Sequence, residues 1–515
     1  MITPLYTPAE NPAFNMARYC LAGAVAATAT KPALIVIAAP GAPPAEIWTY
    51  ADLEDAVLRT AGALRQAGLK PGDRILIRLD NTSAYAILFF AAIAAGLVAL
   101  PASNQLTDPE ALFLLEDSGA AALACLTPLE TSALPAAPLV LSAADVTRMM
   151  REGPRMDYAP TRAEDPAFLI YTSGTTARPK GVLHAHRSAI GRRPMYQGWY
   201  GLGSDDRVLH AGAFNWTFTL GVGLTDPWAN GATAIVYTGE KDPALWPRLI
   251  RDTEATLFAG VPGVFRQMLK YADVTPAAIP TLRHGLMAGE APPPGLFEEW
   301  AARSGREIYE GLGMSELSTY ISTSPAVPRR AGTVGKAQPG RRAAILPVDG
   351  PDEPLPPDSE GLIAVHRSDP GLMLGYWNRP AEQAEVTRGD WFVGGDLGTM
   401  DADGYITHTG RNNEVMKALG YRVSPLEVEA VLAAHPGIAE VACAEIAVRA
   451  DVHIVGAFVV MKEKAMRDAD AILSFAAARL AAYKCPREIR FVDALPRTAN
   501  GKIRRAGLTA SYGSP

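Results

Sequence analysis

Thr172, Ser173, Thr175 and Thr176 crowd four hydroxyls around Gly174, and Lys180 closes the segment Tyr171–Val182 with a positive charge. Glycine lets the backbone turn so that successive N–H groups can face one anion. The hydroxyls add donors, so residues of these types at this spacing suit a polyphosphate. Phe168–Tyr171 reads as a strand, which puts the loop at a strand end. The string is not a Walker A loop, because Gly-x-x-x-x-Gly-Lys-Ser/Thr is absent here. A Ser/Thr/Gly loop taken alone is usually a plain turn. Its chemistry therefore depends on what else the chain brings to it.

The elements that must position this loop follow from the hydrophobic pattern. Leu53, Ala56, Val57, Ala61 and Leu64 recur at helical spacing, Gly68 and Lys70–Arg74 end the helix, and Ile75–Leu79 reads as a strand. The same helix–turn–strand order recurs at Ala111–Glu116 with Ala120–Cys125, and at Trp246–Thr253 with Thr256–Ala259. Such alternation predicts an α/β fold with a parallel-rich sheet covered by helices. Pro347–Gly361 reads as a turn between strands. Near residue 410 the texture changes to a small α+β pattern through Val428–Ala434, Val441–Val448, Ile454–Met461 and Ala471–Leu480.

Composition excludes several classes. The chain has 515 residues, 48% hydrophobic and 20% charged, so disorder is not its main state. Its net charge of −6 argues against a nucleic-acid scaffold. Cys20, Cys125, Cys443 and Cys485 lie far apart and fit neither a disulfide framework nor a zinc site. The most apolar run, Tyr85–Leu100, falls short of the ~20 residues a membrane span needs and reads as a buried helix entering a buried strand. Met1–Asn15 shows no secretory pattern, so a cytoplasmic protein is expected.

Tyr171–Val182 resembles the signature of the adenylate-forming superfamily, which includes acyl-CoA synthetases, peptide-synthetase adenylation domains and luciferases. Further segments resemble the family's later motifs in the same order: Gly289–Pro292, Glu310–Glu316, Trp391–Asp396, Gly410–Glu429 and Pro496–Lys502. The resemblance covers essentially the whole chain. It implies a large adenylating domain over residues 1–412, with a β-barrel-like subdomain, and a small mobile lid over 413–515. The departures are Ala177 for the family's usual Gly, Leu312 for a common Tyr, Ser315 for Thr and Asn413 for the hinge Asp.

The resemblance also implies roles. Thr172, Ser173, Gly174, Thr175, Thr176 and Lys180 would hold the phosphates of ATP. Gly289, Glu290 and Ala291 would flank adenine with Glu310, Gly311 and Leu312. Ser315 would touch the α-phosphate and Glu316 would coordinate Mg²⁺, which prefers hard oxygen ligands. Asp396 would accept the ribose hydroxyls, helped by Arg411. Lys502 would bridge the carboxylate and the α-phosphate. Asn413 marks the hinge, and Gly420 would line the channel for coenzyme A.

For the acyl group the resemblance points to Phe214, Trp216, Phe218, Gly221, Val261 and Met287. His210 and Arg266 are near in sequence, but these segments hold no second cation for a dicarboxylate. The flavour is that of medium-chain acyl-CoA synthetases and benzoate-type ligases. The expected activity is an AMP-forming acid–CoA ligase acting on a small or medium apolar monocarboxylate, aromatic or aliphatic. An acyl-AMP ligase loading a carrier protein is the nearest alternative, and a degenerate nucleotide-binding regulator the alternative from another class. A lysine acetyltransferase and deacetylase acting at Lys502 would be partners of the enzyme, since acylation removes the charge. The resemblance leaves room for a homodimer.

Overall fold

The computed structural model describes residues 13–132, 134–172, 179–412, 416–418, 421–449, 452–497, 503–505 and 507–508. The chain packs as two compact units. The first gathers residues up to 289 with 298–343 and 365–392; the second gathers 290–297, 344–364 and 393 onward.

Two sheets organise the first unit. One has seven strands in the order Gly375–Tyr376, Lys180–Ala185, Pro166–Thr172, Val98–Pro101, Arg74–Arg78, Ala122–Cys125 and Leu139–Ser142. Its pairs from Pro166–Thr172 through Leu139–Ser142 are parallel, and the two strands at the other edge pair antiparallel. The expected helices and strands are present here as Tyr50–Gln66 before Arg74–Arg78, Ser83–Ala94 before Val98–Pro101, and Asp108–Ser118 before Ala122–Cys125. Val98–Pro101 and Ala122–Cys125 are buried throughout, as parallel strands covered on both faces must be.

The second sheet has nine strands, with Pro32–Ile37, Thr233–Tyr237, Arg207–His210, Leu257–Gly260, His284–Ala288 and Glu307–Met314 parallel at its centre. Helix Ser83–Ala94 is apolar all round and buried all round, so it fills the core instead of covering it. Phe90 meets Trp228 edge-on at 4.8 Å, and the Trp228 indole donates to the Ala33 carbonyl at 2.9 Å. That bond satisfies the polar edge of a ring that is otherwise wholly in the core.

In the second unit, strands Ile438–Arg449, Val452–Met461 and Glu488–Phe491 form a sheet covered by helices Pro425–Ala433 and Ala469–Ala477. Val428, Leu432, Cys443, Val455 and Ile472 fill its core. These are the C-terminal α+β elements expected from the pattern. A further five-stranded sheet is made of Ala343–Leu346, Gly361–His366, Thr387–Arg388, Trp391–Met400 and Ile406–Arg411. All four cysteines are free, and among the described residues no helix is long and apolar enough to cross a membrane.

Gly62 shows how closely the helices approach the chain around them. It sits inside helix Tyr50–Gln66, where Gly→Ala normally stabilises by up to ~1 kcal/mol. A Cβ there would lie 1.8 Å from the Pro154 carbonyl oxygen. Gly62→Ala is therefore expected to invert the sign and destabilise by about 1–3 kcal/mol, read from the urea unfolding midpoint. A neutral or raised midpoint would contradict this packing.

Candidate active site

Strands Pro166–Thr172 and Lys180–Ala185 pair antiparallel, with Thr172 opposite Lys180. The loop residues Ser173, Gly174, Thr175, Thr176 and Ala177 lie outside the described residues, as do Asn413, Gly420 and Lys502. The base of the hairpin is fixed from beneath. The Tyr171 hydroxyl donates to Asp117 at 2.6 Å, Arg379 donates to the same carboxylate at 2.7 Å, and the Trp377 indole donates to the Asp117 carbonyl at 2.9 Å. The Lys180 ammonium stands 5.4 Å from the centre of the Tyr376 ring, within cation–π range.

Tyr376 leads directly to the second motif. Its hydroxyl donates to Glu316 Oε1 at 2.8 Å. Glu316 and Ser315 sit in the tight turn between strands Glu307–Met314 and Ser318–Ser322, where Met314 pairs with Ser318. His184, four residues beyond Lys180, reaches the Ser315 carbonyl through Nε2 at 2.8 Å. The acceptor is a carbonyl, so Nε2 carries the proton. Burial, with Arg187 and Arg192 nearby, lowers the His184 pKa to about 4, so the ring is neutral at pH 7. Thr172, Lys180, Ser315 and Glu316 are thus brought together, more than 130 residues apart in sequence, by two side chains that sequence reasoning missed. His184 and Tyr376 stand on adjacent strands, a proximity no local spacing announces.

Two of the segments expected to flank adenine also meet. Met287 pairs with Glu310 and Ala288 with Gly311 on parallel strands, so Gly289 emerges beside Gly311 and Leu312. Gly289 has φ +108°, and a Cβ on it would lie 2.6 Å from the Trp216 ring and 3.5 Å from Val261. Glycine is required there both by the backbone and by the indole. The Glu310 carboxyl is buried, which pushes its pKa up to about 7. Glu290 is half-buried and Ala291 exposed.

The acyl candidates do not all lie together. Trp216 and Phe218 meet edge-on at 5.3 Å, and Val261 caps the end of strand Leu257–Gly260. Phe214 instead packs on Tyr85 in the core around helix Ser83–Ala94. Met287 is fully buried within its strand. Gly221 faces the Arg192 guanidinium, whose Nη2 would lie 1.7 Å from an added Cβ. His210 lies edge-on to Phe218 at 4.7 Å, and burial lowers its pKa to about 3, so it brings no charge. Arg266 is on the exposed face of helix Pro262–Tyr271.

The second unit carries the carboxylate expected to hold ribose. Asp396 and Arg411 are register partners, and Arg411 Nε donates to Asp396 Oδ1 at 3.1 Å. His408 Nε2 is 3.1 Å from the same oxygen, a contact not expected from the sequence. Burial alone would raise the Asp396 pKa, but Arg411 and His408 outweigh it and hold the carboxyl below the ordinary range. It is therefore a permanent acceptor at neutral pH.

Residues 21–377 match the AMP-binding enzyme family, and residues 427–502 match the C-terminal domain of AMP-binding enzymes. The chain belongs to the AMP-binding enzyme family, in its acid–CoA ligase branch. It is 32% identical to a benzoate–CoA ligase of Thauera aromatica over 90% of this chain and 91% of that one. It is 30% identical to a 3-hydroxybenzoate–CoA ligase of Aromatoleum sp. (strain CIB), over 89% and 91%. Its fold is that of a solved benzoate CoA ligase from Burkholderia xenovorans LB400, with a TM-score of 0.85 and 30% identity over 96% and 99%.

Stability of this AMP-binding enzyme should depend on acid through its buried rings. The pKa of His184, of His186 and of His284 is lowered to about 4, mainly by burial. Between pH 6.5 and 4 the unfolded chain binds these protons and the folded chain does not. Their contribution is thus complete above pH 6.5 and lost as pH falls toward 4. The thermal midpoint is expected to drop across that window. His184→Gln, whose amide can still donate to Ser315, should make the drop shallower; an unchanged slope would show that His184 does not stay neutral.

Proposed function

We propose that the protein activates an apolar monocarboxylate, aromatic acids first, with ATP and then transfers the acyl group to coenzyme A. The observation that carries this reading is the convergence of Lys180, Tyr376 and Glu316 beside the carbonyl-pinned Ser315. A carboxylate oxygen of the substrate attacks the α-phosphorus, the bond to the β-phosphate oxygen breaks, and pyrophosphate leaves. The thiolate of coenzyme A then attacks the acyl carbon, the C–O bond to AMP breaks, and acyl-CoA and AMP result. Charge grows on the phosphate oxygens in the first step, and fixed donors and cations aimed there lower its barrier.

In this reading Lys180, Thr172 and the loop through Thr176 hold the β- and γ-phosphates, and Ser315 positions the α-phosphate. Asp396 accepts the ribose hydroxyls with Arg411 beside it. Glu316 fits a Mg²⁺ ligand: Tyr376 takes Oε1 and leaves Oε2 for a cation. No cluster of three or more His, Cys, Asp or Glu forms among the described residues, so the remaining ligands would come from phosphates and water, as Mg²⁺ favours. Bound there, Mg²⁺ would neutralise phosphate charge. Residues from 413 serve as the lid, with Asn413 as its hinge, Lys502 at the reacting carboxylate and Gly420 on the coenzyme A side.

The apolar corner of Trp216, Phe218 and Val261 supports an apolar acid. The benzoate and 3-hydroxybenzoate ligases among the relatives favour an aromatic ring. The test is pyrophosphate release with and without coenzyme A, over benzoates, C2–C10 fatty acids and C3–C5 dicarboxylates. A benzoate is expected to give coenzyme A-dependent AMP, with dicarboxylates at least ~10-fold slower, and Glu316→Gln is expected to lower adenylation by ~10²-fold. Release that ignores coenzyme A would overturn the ligase reading in favour of an acyl-AMP ligase, and silence across the panel would overturn the substrate class.

A further inference from the structure

Ser318 is the residue on which the Glu316 turn closes, and its backbone is strained. It has φ +82°, a left-handed conformation that a residue with a Cβ rarely adopts. Strain of this kind persists only where the surroundings over-determine it. Here the surroundings are a buried guanidinium. Arg192 Nη1 donates to Ser318 Oγ at 2.6 Å, while Nε and Nη2 donate to the two oxygens of Asp226 at 2.6 and 2.7 Å. Asp226 is fully buried and also accepts from the Tyr200 hydroxyl at 2.7 Å.

The guanidinium has little freedom to leave this position. Its fork is matched to the Asp226 carboxylate, which fixes the plane of the group. It also fills the space left by the missing side chain of Gly221, where a Cβ would lie 1.7 Å from Nη2 and 2.1 Å from Cζ. The third nitrogen is therefore aimed at Ser318 by contacts that lie outside the turn. On the other flank of the turn His184 holds the Ser315 carbonyl, and the Glu316 carbonyl accepts from Met373 N–H at 2.8 Å. Glu316 thus stands between two anchors, one of which is Arg192.

We propose that Arg192, oriented by Asp226, is a positioning residue for the nucleotide–metal site: it holds Ser318 in its left-handed conformation and so fixes the direction of the Glu316 carboxylate. This rests on the role of Glu316 given above. Ser318→Ala removes the anchoring oxygen and keeps the Cβ that disfavours φ +82°, so the turn relaxes and Glu316 swings away. Ser318→Gly removes the anchor and the strain together, so the turn has less reason to move. The two substitutions separate anchorage from mere presence of the turn.

The experiment is calorimetric ATP binding by the full chain, with and without Mg²⁺, on wild type, Ser318→Ala, Ser318→Gly and Arg192→Lys. Each variant's thermal midpoint is measured alongside. Wild type should bind ATP more tightly with Mg²⁺. Ser318→Ala should lose roughly tenfold of that gain while binding metal-free ATP as wild type does, and Ser318→Gly should lose less. Arg192→Lys, which keeps the charge and not the fork, should follow Ser318→Ala. A Mg²⁺ gain that is unchanged in folded Ser318→Ala and Arg192→Lys overturns the proposal. Equal losses of metal-free and Mg²⁺ binding also overturn it, since they mark general damage. A wild type whose ATP affinity ignores Mg²⁺ would instead overturn the role of Glu316 itself.

Discussion

A carboxylate with no access to water must be matched where it stands, and Asp226 is such a group. It accepts two bonds from Arg192 and one from Tyr200. Those three bonds tie together the short helix Asp226–Ala229, the residue that ends helix Ser188–Gly191 and the π-helix Tyr196–Tyr200. Removing one partner of a buried pair of this kind costs about 3–5 kcal/mol, because the other charge is left unpaired in the interior. The first unit therefore cannot rearrange around Asp226 piecemeal. A second buried pair, Arg341 with Asp369 at 2.6 Å, adds to the constraint, and its Nη2 also donates to the Gly191 carbonyl at 2.6 Å.

The rigidity is located where charge has to be managed. Thr172 and Lys180 stand at strand ends and Ser315 and Glu316 on a turn, and each place is held by a group behind it. Asp117 holds the base of the Thr172–Lys180 hairpin, and His184 and Arg192 hold the Glu316 turn. Fixed donors need no reorganisation when charge develops, which is the physical advantage of holding them from outside. The acyl corner is built differently. Trp216 and Phe218 pack ring against ring there, and Val261 stands beside the same glycine as the indole.

The motifs were legible because their chemistry is local. Thr172–Lys180, Glu310–Glu316 and Asp396 with Arg411 each lie within one hairpin or on neighbouring strands, so short spacing carries the information. The alternation of apolar runs likewise reported the parallel strands and covering helices, because burial on both faces forces that pattern. Boundaries shifted by one to three residues where caps decide them: the Thr49 hydroxyl accepts from Asp52 N–H and starts that helix at Tyr50. The packing of the acyl candidates was not legible. Composition does not tell one buried aromatic from another, and only contact with Tyr85 assigns Phe214 to the core around helix Ser83–Ala94.

The sequence by itself determined the family and the order of the motifs, since these rest on local strings and on burial patterns. Tertiary structure alone decided what aims them. Tyr376 reaches Glu316 across 60 residues, His184 reaches Ser315 across 131, and Arg192 reaches Ser318 across 126. No periodicity encodes such pairs. They exist because parallel strands bring distant segments side by side, and because a buried polar atom that arrives there must find a partner.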